Sequence, residues 1–145
     1  NPLLSLAAGV AAAEACGGGV RLKWPNDLLL DGRKVGGILV EASPAKVVCG
    51  IGINLTWAPE GAAQLDETGD RLLARLRPAI GRWSSAPAEQ VVARWRELSD
   101  TIGKRVRVEL PDRIVEGIAE DIDATGSLVV DGKPVSAGSL TVLGG

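Results

Sequence analysis

Residues 23–55, KWPNDLLLDGRKVGGILVEASPAKVVCGIGINL, decide how the rest of the chain is read. Just ahead of and into this stretch, Val20, Leu22 and Trp24 alternate with Arg21 and Lys23, the period-two pattern of a strand with one buried face. Pro25-Asn26-Asp27 interrupts it, because proline cannot donate to a ladder and Asn and Asp favour turns. Leu28-Leu29-Leu30 resumes as a strand. Asp31-Gly32 is a strong short hairpin signal, since the tight turns that match strand twist need residues tolerant of positive φ. A strand over Val35–Glu41 follows, Ser43-Pro44 turns the chain, and a third long strand spans Lys46–Leu55. The expectation is an antiparallel meander.

The glycines of this meander raise a question of chemistry. In the last strand Val47, Cys49, Ile51 and Ile53 share one face, while Val48, Gly50, Gly52 and Asn54 share the other. The first is a core face. The second is bare backbone ending in an amide. Glycine weakens a strand, so alternating glycines call for a reason: a flat ligand, another backbone, or a large side chain such as Trp24 lying on them. Gly36-Gly37 on the preceding strand widens the cleared patch and is a natural site for a bulge that re-aims its neighbours. Lys34, just before that pair, reads either as a solvated hairpin lysine or as a point charge for an anion or carbonyl. Lys23, Asn26 and Asp27 stand at the strand break, where an Asp beside an amide suits either a turn or Mg2+, a cation that takes oxygen ligands. Each signal is weak alone; their clustering favours a ligand site.

Outward from the meander, Asn1-Pro2 reads as a helix start, Leu3, Leu6, Ala7 and Val10 recur at helical spacing, and Gly17-Gly18-Gly19 ends the helix. It is expected to be a short amphipathic helix lying on the sheet. Residues 56–68 lack periodicity and form a loop, a candidate ligand cover. Helices follow over Asp70–Trp83, with Leu72, Leu73, Leu76 and Ile80 on one face, and beyond Pro87, with Val91, Val92, Trp95 and Leu98 on one face and Ser85 as cap. After Gly103 the period changes. Short strands at Arg105–Leu110, Ile114–Asp121, Ser127–Asp131 and Ser139–Leu143 suggest a small SH3-like β-barrel over residues 103–145. It is near the lower size limit for independent folding and should lean on residues 1–102.

Bulk properties set outer limits. The chain has 145 residues, 46% hydrophobic and 23% charged, which demands a packed core and argues against disorder. A net charge of −2 gives no electrostatic footprint for nucleic acid. With no histidine, neither a His-based triad nor a His metal site can be built. Cys16 and Cys49 lack metal-ligand spacing and read as buried free thiols in a reducing compartment. No run is long enough for a membrane span, and the apolar start has no basic n-region. The chain contains no methionine, even at position 1, so it reads as processed or as part of something longer.

Three motifs, in order and at matching spacing, give the chain a resemblance. Lys23-Trp24-Pro25-Asn26-Asp27, Arg33-Lys34-Val35-Gly36-Gly37-Ile38-Leu39-Val40-Glu41 and Gly50-Ile51-Gly52-Ile53-Asn54-Leu55 resemble the biotin–protein ligases, also called biotin–[acetyl-CoA-carboxylase] ligases. Glu116–Asp123 and Ser139-Leu140 resemble that family's SH3-like C-terminal domain. The resemblance implies an α+β fold: a mixed or antiparallel sheet with helices packed on it, of the class II aminoacyl-tRNA synthetase-like kind, followed by the small barrel. It implies that biotin and MgATP give biotinyl-5′-adenylate, and that a lysine of the biotin carboxyl carrier protein of acetyl-CoA carboxylase then takes the biotin, in the cytoplasm. By the same resemblance Lys34 contacts biotin and the adenylate and is the catalytic residue. Gly36, Gly37 and Leu39 fall at biotin-pocket positions, and Gly50, Gly52 and Asn54 on the strand under the ligand. Asn26 and Asp27 correspond to positions tied to Mg2+ and phosphate. Family members often dimerise through this sheet. The family's glycine- and arginine-rich loop of GRGRxGR type and the helix-turn-helix of repressor members have no counterpart in the sequence. The chain therefore reads as the C-terminal half of a ligase, expected to be inactive or very weak alone. The competing expectation is a non-catalytic binding or regulatory module derived from such a ligase.

Overall fold

The meander is present in the computed structural model, which describes residues 2–144. Strands β1 (Arg21–Lys23), β2 (Asp27–Leu30), β3 (Arg33–Ala42) and β4 (Val47–Ile53) pair antiparallel in chain order. The β2–β3 turn holds Asp31 at φ 52° and Gly32 at φ 74°, the left-handed pair that Asp-Gly tolerates at least cost.

Helix α1 (Pro2–Cys16) is not the amphipathic surface helix its spacing suggests. Every residue from Leu6 to Ala13 is buried, as are Ala15 and Cys16. The reason is tertiary: one side faces the sheet, and α2 (Gly69–Ser84) and α3 (Ala88–Leu98) pack over the rest. Alanines at 7, 8, 11, 12, 13 and 15 keep the helix thin enough to be enclosed. Its one acid is met by donors from both covering helices: the Trp83 indole N–H donates to Glu14 Oε1 at 2.7 Å and Arg94 Nε to Oε2 at 2.8 Å. Burial alone would raise the Glu14 carboxyl, but these donors outweigh it and hold the group below the usual carboxylate range. The expected Asn1 cap lies outside the described residues.

Helix α2 is capped by Thr68, whose hydroxyl accepts from the Arg71 N–H at 3.3 Å. Ser85, expected to cap α3, instead closes α2, its Oγ donating to the Gly81 carbonyl at 2.9 Å. Helix α3 starts from Pro87, whose carbonyl takes the N–H groups of Gln90 and Val91, with no side-chain cap.

The second sheet contains β5 (Arg105–Glu109), β6 (Ile114–Ile122), β7 (Leu128–Val130), β8 (Lys133–Val135) and β9 (Ser139–Val142), in the order β8-β7-β6-β5-β9. Strand β8, which the sequence left without bounds, follows Asp131-Gly132 (φ 46° and 79°), which turns a hairpin into it. β6 serves two neighbours in turn, β5 along Ile114–Ile118 and β7 along Ala119–Ile122, the latter pairing carrying a register shift between Ala119 and Asp121. Among the described residues the outer strands β8 and β9 do not pair, so hydrogen bonds do not close the sheet into the expected barrel. Val106, Val108, Ala119, Ile122, Leu128 and Val130 are wholly buried and form its core. The two sheets are joined where Ser99 bridges Leu22 and the Asp100 N–H donates to the Leu22 carbonyl at 2.7 Å.

One edge of the first sheet is bare. β4 has no outer partner among the described residues, and Val47 and Val48 are half exposed. The expectation of buried thiols therefore holds for Cys16, which burial pushes up to about 11 against the pull of Arg75, but Cys49 is exposed. No described helix is long and apolar enough to cross a membrane.

Two measurements check this packing. Glu14→Gln should cost about 1–2 kcal/mol at pH 7, the range for a charge-assisted bond partly open to solvent. Because folding lowers the Glu14 carboxyl, its contribution is present above the unfolded value of 4.5 and is lost as pH falls below it. Urea melts of the two proteins should therefore converge in acid. Val48→Lys should reduce concentration-dependent scattering, since a lysine blunts a free strand edge, and leave stability within about 0.5 kcal/mol.

Candidate functional site

The site depends on one extra residue. Asp27 and Leu28 of β2 face Gly37 and Gly36, but Leu29 and Leu30 face Lys34 and Arg33. Val35 is the surplus, so a bulge falls one residue before the Gly-Gly pair rather than on it. In an unbroken strand Lys34 and Gly37 would point to opposite faces. The bulge reverses the parity. Val35 and Gly36 both turn inward and are buried, and Lys34 comes out on the face of Gly37. A methyl placed on Gly37 would lie 3.7 Å from Lys34 Nζ.

Register then builds the floor. Lys23, Asp27, Gly37 and Gly52 stand directly opposite one another across all four strands, and Leu39 stands opposite Gly50. An open depression of about 470 Å³ is lined by Asn26, Asp27, Lys34, Gly37, Ile38, Leu39, Gly50, Ile51 and Gly52. Nothing lies within 4 Å of the position a Gly52 side chain would take, and at Gly50 only Leu39 comes within that range. Trp24 does not cover these glycines; it is buried against the second sheet unit. Leu39 is 60% exposed at the edge of the floor.

Gly36 has a different role from the one expected. Its missing side chain points inward, where a methyl would press on the Gly52 carbonyl and lie 2.8 Å from Ile53 Cδ1 and 3.2 Å from Leu28 Cδ1. It lets β3 and β4 close on the core and does not line the depression.

Lys34 Nζ lies 3.2 Å from Asp27 Oδ1, with side chains 58% and 25% exposed. Such an exposed pair adds little stability but holds the ammonium over the floor. The same contact bears on the expected Mg2+ ligands. Asp27 is a single carboxylate already paired with an ammonium. No group of three or more acidic or cysteine side chains that could hold a metal occurs among the described residues. This donor set does not make a resident metal site.

Asn54 also departs from expectation. Its side-chain amide donates to the Ala63 carbonyl at 2.9 Å, and its backbone N–H to Val35 at 2.8 Å. The Ala63 N–H in turn donates to the Lys34 carbonyl at 2.9 Å. The loop after β4 is thus tied back along Arg33–Lys34 at its middle. Sequence reading missed Ala63 as a support of Lys34; an alanine in an aperiodic loop carries no signal for it.

The two kinds of glycine are separable by experiment. Gly36→Ala should destabilise by about 1–3 kcal/mol through overpacking. Gly52→Ala should stay within about 0.5 kcal/mol, having open space above it. Thermal melts of both variants check the assignment; equal losses would refute it.

Comparison with known proteins follows the same division of the chain. Residues 3–56 match the Biotin/lipoate A/B protein ligase family, and residues 101–139 match the Biotin protein ligase C terminal domain. The Biotin--[acetyl-CoA-carboxylase] ligase of Mycobacterium tuberculosis is 42% identical over 150 aligned positions, covering 88% of this chain and 56% of that protein. The Bifunctional ligase/repressor BirA of Escherichia coli is 33% identical, covering 96% of this chain and 52% of that one. The chain thus spans about half the length of the curated relatives it matches. The apo biotin protein ligase of Aquifex aeolicus superposes with a TM-score of 0.84 at 23% identity, covering 97% of this chain and 74% of that one. The same ligase in complex with biotin and ATP gives a TM-score of 0.79, covering 97% and 71%. By its motifs, its two family matches and the fold they share, the chain belongs to the biotin protein ligase family.

Proposed function

We propose that this chain carries the ligand-binding sheet of an ATP-dependent biotin–protein ligase, with residues 1–102 as the C-terminal part of the catalytic domain and 103–145 as an SH3-like C-terminal domain. One observation carries the reading: a side-chain-free floor at Gly37, Gly50 and Gly52 with the Lys34 ammonium held at its margin by Asp27. A flat, nearly uncharged bicyclic ring suits a glycine floor flanked by Leu39. In the first step a biotin carboxylate oxygen attacks the α-phosphorus of ATP and pyrophosphate leaves. In the second, a lysine amine of a biotin carboxyl carrier protein attacks the acyl carbon and AMP leaves, giving an amide. Negative charge grows on phosphate in the first step, and the ammonium at the margin of the floor supports a role for Lys34 as the cation that stabilises it. That chemistry needs no histidine. The proposed setting is the cytoplasm, and the acceptor the carrier subunit of acetyl-CoA carboxylase.

The depression is open on one side, which favours a second reading: a binding or regulatory module that uses this sheet without catalysing transfer. Calorimetry with biotin, with and without MgATP, separates the two. Biotin binding strengthened by ATP supports the ligase; binding of neither supports the module. In a ligase containing this sheet, Lys34→Ala should slow adenylate formation by about 10²-fold, the scale for losing one charge-stabilising donor. The melting curve should hardly move, because an exposed ion pair is worth about 0–1 kcal/mol. Wild-type turnover in that variant would remove Lys34 from the mechanism.

A further inference from the structure

We infer that Thr101 and the 123–127 turn are positioning residues for the Asp27–Lys34 pair, acting through Trp24; the catalytic consequence rests on the ligase reading, the linkage does not. The first sheet leaves Trp24 without a ladder partner. β1 ends at Lys23 and β2 begins at Asp27, so residues 24–26 cross between them unpaired by either strand. The Trp24 N–H is instead taken by Thr101 Oγ1 at 2.9 Å, with Trp24 1% and Thr101 0% exposed. Thr101 is itself fixed, since its N–H and that of Ile102 both donate to Ser99 Oγ at 2.9 Å.

The indole is held from the second sheet unit. Its N–H reaches the Gly126 carbonyl at 3.4 Å. Gly126 sits at φ 87° in a turn organised by Asp123, whose Oδ1 accepts from the Thr125 N–H at 2.9 Å and the Ser127 N–H at 3.1 Å. The turn is pressed on the start of α1, where a Gly126 side chain would fall 2.9 Å from the Leu3 nitrogen. Two residues past Trp24, the Asn26 carbonyl accepts from Ile38, and Asp27 meets Lys34 at 3.2 Å. The segment that sets where Asp27 stands is therefore anchored at one end by β3 and at the other by residues from beyond α3.

The test uses the whole chain and reads Lys34 directly. Amines are labelled with a small N-hydroxysuccinimide ester and rates mapped by mass spectrometry, with exposed Lys46 and Lys133 as internal references. Thr101→Val keeps the shape and removes the acceptor; it should raise the Lys34 rate about two- to fivefold, the leverage of an exposed ion pair. Thr101→Ser, which keeps the hydroxyl, should match the wild type. An unchanged Lys34 rate in a cooperatively melting Thr101→Val would overturn the proposal, because a purely structural hydroxyl would lower stability alone. Should Thr101→Val not fold, Trp24→Phe, which removes the indole N–H together with the ring that carries it, is read the same way, provided it still melts cooperatively. Biotin binding measured on the same proteins keeps the two ideas apart. Lys34 rates that respond in a chain binding neither biotin nor ATP sustain the linkage and remove the ligase reading. Rates that do not respond in a chain that binds both remove the linkage alone.

Discussion

A single surplus residue in β3 governs the face of the first sheet. Side chains on a strand alternate, so one inserted residue exchanges the two faces for everything beyond it. With Val35 turned inward beside Gly36, the core keeps Val35, Ile38 and the inward side of Gly36, while the outer face receives Lys34, Gly37 and Leu39 together. Without that insertion the ammonium would lie on the opposite face from Gly37, Gly50 and Gly52. The bulge also explains the unlike behaviour of two adjacent glycines. Gly36 permits the approach of the β4 backbone; Gly37 leaves room above the sheet.

The scaffold under that face is organised by a helix with almost no solvent side. An alanine-rich α1 lets α2, α3 and strands β1–β3 all approach one axis, so they share the apolar area removed from water. Enclosure makes its polar group consequential. Glu14 is satisfied by donors from both covering helices, and no buried side-chain nitrogen or oxygen among the described residues lacks a partner. The second sheet is stitched on through residues 99–101 and the turn at Gly126, so its contacts reach the segment that ends in Asp27.

The strands of the meander, its Asp-Gly hairpin and the outward row of Gly50 and Gly52 were readable because each depends on local chemistry: alternation, a turn needing positive φ, a missing side chain. Helix α2 was readable from its apolar stripe. The burial of α1 was not, since enclosure depends on what packs around a helix and a run of alanines has no preferred face. Asn54 looked like a ligand amide because its strand position faces outward; its partner at Ala63 is set by where a distant part of the loop returns. Cys49 looked buried because its face is the core face, yet β4 is an edge and the cover thins there.

By itself, then, the sequence determined the strands, the glycine positions and a lysine close to them, because these follow from period and from backbone sterics over a few residues. Only the tertiary structure decided which glycine opens a floor and which closes a core, and that Lys34 and Asp27 meet over that floor. Those outcomes turn on the pairing register between strands, and a shift of one residue in that register inverts every side chain beyond it.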